Sequence, residues 1–222
     1  MKRLMIVSML ALTLLVMTTV ASQAAGNVGF GGKGGVNFST FNGDDSEGAE
    51  TRVGFAFGAY LDFPLSPSIS FHPEALYFMK GAEATEGGLT LTFKLDYIEV
   101  PLLLVFRIPN ETSKITPMFY AGPSFGLNLS SKVKGEAGGN SAEADIDNAK
   151  SLDIGIAFGG GAEIGVGDSG NKLHFDLRYT LGLTEAFDDV TPPPGDNDVA
   201  NDDGSAPALK NGTISIMLGF GI

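Results

Sequence analysis

From residue 28 onward, apolar side chains recur at every second position, the period at which a strand turns alternate residues to opposite faces. Phe55, Phe57, Ala59, Leu61 and Phe63 alternate with Gly54, Ala56, Gly58, Tyr60 and Asp62. Leu173, Phe175, Leu177, Tyr179, Leu181 and Leu183 alternate with His174, Asp176, Arg178, Thr180 and Gly182, and the last twelve residues repeat the pattern. The period predicts eight strands, near 28–41, 51–64, 68–80, 89–106, 115–131, 151–167, 171–185 and 211–222. The fourth is irregular: Leu89, Leu91, Phe93 and Leu95 share one phase, while Ile98, Val100, Leu102, Leu104 and Phe106 share the other. Either a bulge near Tyr97 re-phases it, or its first half continues beyond the apolar layer that sets the rule.

The links alternate in length. Those after strands two, four and six are short, whereas 42–50, 81–88, 132–150 and 186–210 are longer and acidic. Tight turns at one end and long loops at the other are the habit of an outer-membrane barrel, with turns in the periplasm and loops outside. A soluble lipocalin-like barrel or a sandwich is the competing fold. It would show water a face of Lys, Glu, Thr and Gln, but here the second face is small: Gly155, Ala157, Gly159 and Gly161, or Gly122, Ser124 and Gly126. Small residues suit the filled interior of a narrow barrel. The expected fold is all-β, an eight-stranded antiparallel up-and-down transmembrane β-barrel preceded by a cleaved signal peptide. Phe55, Phe57, Leu102, Leu104, Phe175, Leu177, Ile216 and Leu218 are expected to face lipid.

The first residues supply that leader. Lys2 and Arg3 precede an apolar run from Leu4 to about Val20, and Ala21-Ser22-Gln23-Ala24-Ala25 offers small residues for a cut. Cleavage after Ala24, with Ala25 as the alternative, gives a signal peptide at 1–24 and a barrel domain at 25–222. Losing Lys2 and Arg3 takes the formal charge from −12 to −14, which argues against a nucleic-acid partner. The chain has no cysteine, so disulfides, thiolate metal sites and a cysteine nucleophile are excluded.

Leu95-Asp96-Tyr97-Ile98-Glu99-Val100-Pro101-Leu102-Leu103-Leu104 resembles the tyrosine–hydrophobic–Glu–hydrophobic–Pro–Leu–Leu signature of PorT-like outer-membrane β-barrel proteins. Phe119-Tyr120-Ala121-Gly122-Pro123-Ser124-Phe125-Gly126, Gly159-Gly160-Gly161-Ala162-Glu163 and Arg178-Tyr179-Thr180-Leu181-Gly182-Leu183 are similar to later elements of that family. The resemblance covers about 28–222. It implies a Gram-negative outer-membrane location and an eight-stranded barrel, but no single activity.

Strand phase aims Lys33, Asp62, His72, Glu74, Glu99, Glu163, His174, Asp176 and Arg178 into the lumen. Charges in so narrow a space need partners, and the excess of acids implies that some carboxylates are protonated or bonded to hydroxyls. Glu74, Glu99, Glu163 and Arg178 are expected to form one structural cluster with Arg178 as its main cation. His72 and His174 lie near the periplasmic ends of their strands, the wrong rim for chemistry on outer-leaflet lipid, and no serine nucleophile motif accompanies them. No enzyme activity, catalytic residue, cofactor or metal ligand is assigned. Asp44, Asp45, Glu47 and Glu50, and the run from Asp188 to Asp203, make the loops acidic, but without the full spacing of a calcium loop.

The functional expectation is a membrane-embedded scaffold whose acidic extracellular loops serve structural or interaction roles. Outer-membrane lipid, lipopolysaccharide and a protein met through the loops are its expected partners. An accessory subunit of an export apparatus and a porin-like small-solute channel are the alternatives.

Overall fold

The computed structural model describes residues 28–42, 49–109, 113–146, 149–167, 170–187 and 209–222. The leader at 1–24 and the acidic segments at 43–48 and 188–208 lie outside them. Among the described residues, nine strands follow one another: β1 (Gly29–Asn42), β2 (Glu50–Ser66), β3 (Ile69–Glu86), β4 (Leu89–Arg107), β5 (Ile115–Ala137), β6 (Asn140–Asp145), β7 (Leu152–Val166), β8 (Asn171–Glu185) and β9 (Lys210–Gly221). Eight of them close a ring. Each pairs antiparallel with its neighbour in the order β1-β2-β3-β4-β5-β7-β8-β9, and β9 returns to β1. β6 lies outside the ring and pairs only with the far half of β5.

The two faces behave as hydrocarbon contact requires. Phe55, Phe57, Leu104, Phe175, Leu177, Ile216 and Leu218 are exposed on the outer surface, while Asp176, Arg178 and Ser215 beside them are buried inside. Exposed phenylalanines and leucines in such number would be an aggregation liability in water; against acyl chains they are the solvation layer. Inside, glycine makes room for aromatic rings. A Cβ on Gly159 would sit 2.5 Å from the Tyr120 hydroxyl. Gly159→Val is therefore expected to lower stability by about 1–3 kcal/mol through overpacking, read from urea titration of the refolded barrel.

Two departures from the sequence expectation concern the extracellular end, while the irregularity expected near Tyr97 is met as a register shift between β4 and β5. Residues 81–88, expected as loop, continue β3 to Glu86 before a two-residue turn, and 132–145 continue β5 and add β6. The reason is turn chemistry. Gly87 and Gly88 adopt φ of 57° and 85°, and Gly138 and Gly139 adopt 55° and 82°, the paired left-handed conformation that joins strands with matching twist. The fourth strand also keeps one phase: Leu95, Tyr97, Glu99, Leu103 and Val105 all point inward. The extra residue sits across from it, because Asp96 pairs with Ser130 and Tyr97 with Asn128, leaving Leu129 unpaired on β5. Leu95 is apolar yet inward because it joins Phe41, Ala82, Tyr97 and Ala186 in a hydrophobic plug at the extracellular end of the lumen.

Candidate functional site

The lumen is built in layers. Its centre is a quartet of two cations and two anions. Lys33 on β1 lies 2.8 Å from Glu74 on β3 and 3.0 Å from Asp176 on β8. Arg178 grips Glu74 with two bonds of 2.8 and 3.0 Å and reaches Asp176 at 3.2 Å. The Tyr120 hydroxyl donates to Asp176 at 2.6 Å, and its ring lies under the Arg178 guanidinium at 5.2 Å. Lys33 can stretch across because its neighbours in register, Gly58 and Gly219, carry no side chains.

A second layer closes the periplasmic mouth. Arg107 pairs with Asp62 at 2.8 Å and Glu163 at 2.6 Å and donates to Ser70 Oγ, while Lys172 lies 3.2 Å from Glu163. Tyr60 and His174 Nε2 share a hydrogen bond of 2.7 Å, and the Tyr60 ring packs edge-on to both His72 and His174. A cavity of about 280 Å³ opens here between Tyr60, Asp62, Lys172 and His174. A third layer lies toward the outside. Lys80 meets Glu99 at 2.5 Å and Asp153 at 3.8 Å, Ser124 donates to Glu99 at 2.8 Å, and Asn211 donates to Asp153 at 2.9 Å.

The four residues expected to meet are therefore divided. Glu74 and Arg178 are together in the centre, Glu99 belongs to the extracellular layer, and Glu163 to the periplasmic one. Strand stagger is the cause. Glu99 lies opposite Leu76 rather than Glu74, and Glu163 lies opposite His174, four residues or about 13 Å along β8 from Arg178. Arg178 is also not the dominant cation of the lumen, since Lys33, Lys80 and Arg107 carry comparable sets of partners. Lys80 and Arg107 were missed at strand ends, although they share the parity of Glu74 on β3 and of Glu99 on β4. Once they are counted, Asp62, Glu74, Glu99, Asp153, Glu163 and Asp176 each have a cation within 3.8 Å. Six carboxylates still face only Lys33, Lys80, Arg107, Lys172 and Arg178, and three of the six also accept from hydroxyls, as expected: Asp176 from Tyr120, Glu99 from Ser124 and Asp153 from Thr184. Among the described residues, no three His, Asp or Glu side chains converge as a metal site.

Outside the membrane, the ends of β3, β4 and β5 continue with β6 as a four-stranded antiparallel sheet. Ala84 pairs with Leu91, Leu91 with Gly135, and Gly135 with Ala142. All six residues of β6 are exposed, and its outer edge is unpaired among the described residues. Glu143 staples β6 to the sheet, taking bonds of 2.7 Å from Lys94 and 2.9 Å from Lys132. Those two bonds, the one from Lys94 foremost, hold its carboxyl down to about 2. A depressed carboxyl contributes stability that is complete above its ordinary value and lost as pH falls through the folded one. The staple should thus survive pH 4 and open near pH 2. A carboxyl-carbon NMR titration of Glu143 checks this, and its midpoint should rise in Lys94→Ala.

Comparison with known proteins agrees with this geometry at the level of the family. A family model described as outer membrane protein beta-barrel domain matches residues 20–188. Among curated proteins, none matches the chain. Among solved structures, the chain is similar to Neisserial surface protein A at 12% identity, covering 86% of this chain and 95% of that one with a TM-score of 0.47. It is similar to Ail, the attachment invasion locus protein of Yersinia pestis, at 16% identity, covering 89% and 100% with a TM-score of 0.43. It is similar as well to the outer membrane protein OprG from Pseudomonas aeruginosa, at 11% identity, covering 87% and 95% with a TM-score of 0.44. With a family match over most of its length and a closed ring of eight strands facing lipid, the chain belongs to the outer membrane protein beta-barrel domain family and resides in the outer membrane.

Proposed function

We propose that the protein is a rigid membrane scaffold that presents its extracellular sheet and acidic loops to a protein partner. The observation that carries this reading is the open edge of β6, held outside the membrane by the Glu143 staple. An exposed edge is a template for strand addition: main-chain groups supply affinity and alternate side chains supply choice. Asp145 on β6, together with the acidic loops, selects an extended polypeptide of net positive charge. The layered ion pairs and the apolar plug fill the lumen, which favours a scaffold over a small-solute channel. No enzyme activity is assigned, because the two histidines stack on Tyr60 at the periplasmic mouth, away from outer-leaflet substrates. Membership of the PorT-like branch, and with it an accessory role in export, is the second reading; it rests on the run from Leu95 to Leu104.

Photo-crosslinkers placed at Ala142 on β6 and at Ser68 in a periplasmic turn distinguish these readings in intact cells. A discrete polypeptide attached at Ala142 and not at Ser68, identified by mass spectrometry, is the expected result. Attachment at Ser68 alone would replace the display reading with the export reading.

A further inference from the structure

At the periplasmic mouth, on the outer side of the Tyr60–His174 pair, the cavity of about 280 Å³ has walls of opposite charge. Asp62 on β2 stands at one side and Lys172 on β8 at the other. Register sets Asp62 opposite Gly29, and Lys172 opposite Gly221, which in turn lies opposite Gly31. The lumen side of the wall between the two charges therefore carries only glycine. Tyr60 roofs this floor, since a Cβ on Gly31 or Gly221 would strike its hydroxyl end. Two of the lining side chains hold a buried atom that no protein group reaches, Asp62 Oδ1 and His174 Nδ1. His174 is only 3% exposed, and its Nδ1 lies 3.8 Å from Glu163, too far for a hydrogen bond. Asp62 spends only Oδ2 on Arg107. The Lys172 side chain is 44% exposed and gives one contact of 3.2 Å to Glu163, which leaves protons to donate.

We infer that this cavity binds a short zwitterionic peptide, about the size of a dipeptide, from the periplasm. Asp62 Oδ1 can only accept, and calls for an ammonium. Lys172 can only donate, and calls for a carboxylate. His174 Nδ1 joins Lys172, because it carries the ring proton when the Tyr60 hydroxyl donates to Nε2. A simple anion would meet Asp62, and a simple cation would meet Lys172 and Arg107. A free amino acid holds both charges on one carbon, too close together for walls that stand on β2 and β8 with β1 and β9 between them. A dipeptide moves the charges apart by one further residue, roughly 3.5 Å of extended chain. Its backbone can approach the glycine floor closely, and its uncharged middle meets Val28, Pro64 and Ile222. Arg107 and the central quartet close the lumen further in, so the peptide is held and not passed through. This inference stands apart from the display function proposed for β6.

Amide NMR titration of the wild-type barrel in lipid nanodiscs tests the site, with L-alanyl-L-alanine, its N-acetyl form and its C-terminal amide as probes. The dipeptide should shift the amides of Gly29, Asp62, Lys172 and Gly221 saturably and leave those of Ala142 and Glu143 in place. Each blocked form loses one charge-assisted hydrogen bond and should bind at least about tenfold more weakly. Lys172→Met changes a side chain that is nearly half exposed, so the barrel should fold as before. In that variant the dipeptide and its amide should bind alike, while acetylation still weakens binding. Asp62→Asn should show the converse, a lost preference for the free amino group with the preference for the carboxylate kept. No saturable shift at these residues up to about 10 mM dipeptide would overturn the proposal. Equal binding of all three probes to the wild type, or an undiminished preference for the free carboxylate in Lys172→Met, would overturn it as well.

Discussion

Arg178→Ala is expected to destabilise the folded barrel by about 3–5 kcal/mol, the range for removing one member of a buried ion pair. The guanidinium is fully enclosed and holds Glu74 with two bonds and Asp176 with a third. Without it, two buried carboxylates share the single ammonium of Lys33, in a place where water cannot replace the lost charge. Tyr120 loses the cation over its ring as well. The truncation also opens space in the central charged layer, so any conductance of the variant in planar bilayers should be no lower than that of the wild type. Urea titration of barrels refolded into vesicles measures the first effect. Asp188→Asn and Asp189→Asn, in the acidic segment beyond β8, should change neither stability nor conductance. An Arg178→Ala barrel as stable as the wild type would remove the quartet from this account.

One residue away, the expected effect has a different origin. Leu177→Arg should cost about 2–4 kcal/mol of folding free energy in bilayers, because the new charge would enter hydrocarbon near mid-membrane. Leu177 is about half exposed on the outer wall, paired with Gly160 and Ile216, while its neighbours Asp176 and Arg178 are inside. The same arginine is indispensable at 178 and harmful at 177, because a strand alternates faces at every residue. Refolding of Leu177→Arg with unchanged stability would mean that the faces are reversed.

The ring itself was legible in the sequence because lipid imposes one strict rule, an apolar residue at every second position across the membrane. Where the rule lapses, so did the reading. In Lys80 to Glu86 and Lys132 to Asp145 the apolar positions are mostly Ala and Gly, too weak to mark a strand, and the signal lies in the Gly87-Gly88 and Gly138-Gly139 turns instead. Phe93 and Leu95 looked out of phase because they enter the apolar plug at the top of the lumen, while Leu89 and Leu91 lie in the sheet beyond it. The lumen residues on each strand were legible by parity, which placed Glu74, Glu99, Glu163 and Arg178 inside. Their level along the axis was not. Strand tilt shifts each neighbour by residues that no single strand records, so Glu99 met Lys80 and Glu163 met Arg107.

The central claim is that a ring of eight strands encloses a lumen closed by its own charges. Single-channel recording of the purified wild-type protein in planar bilayers tests it most directly. The expected result is insertion without a steady current. A steady ohmic current through the wild type would contradict it.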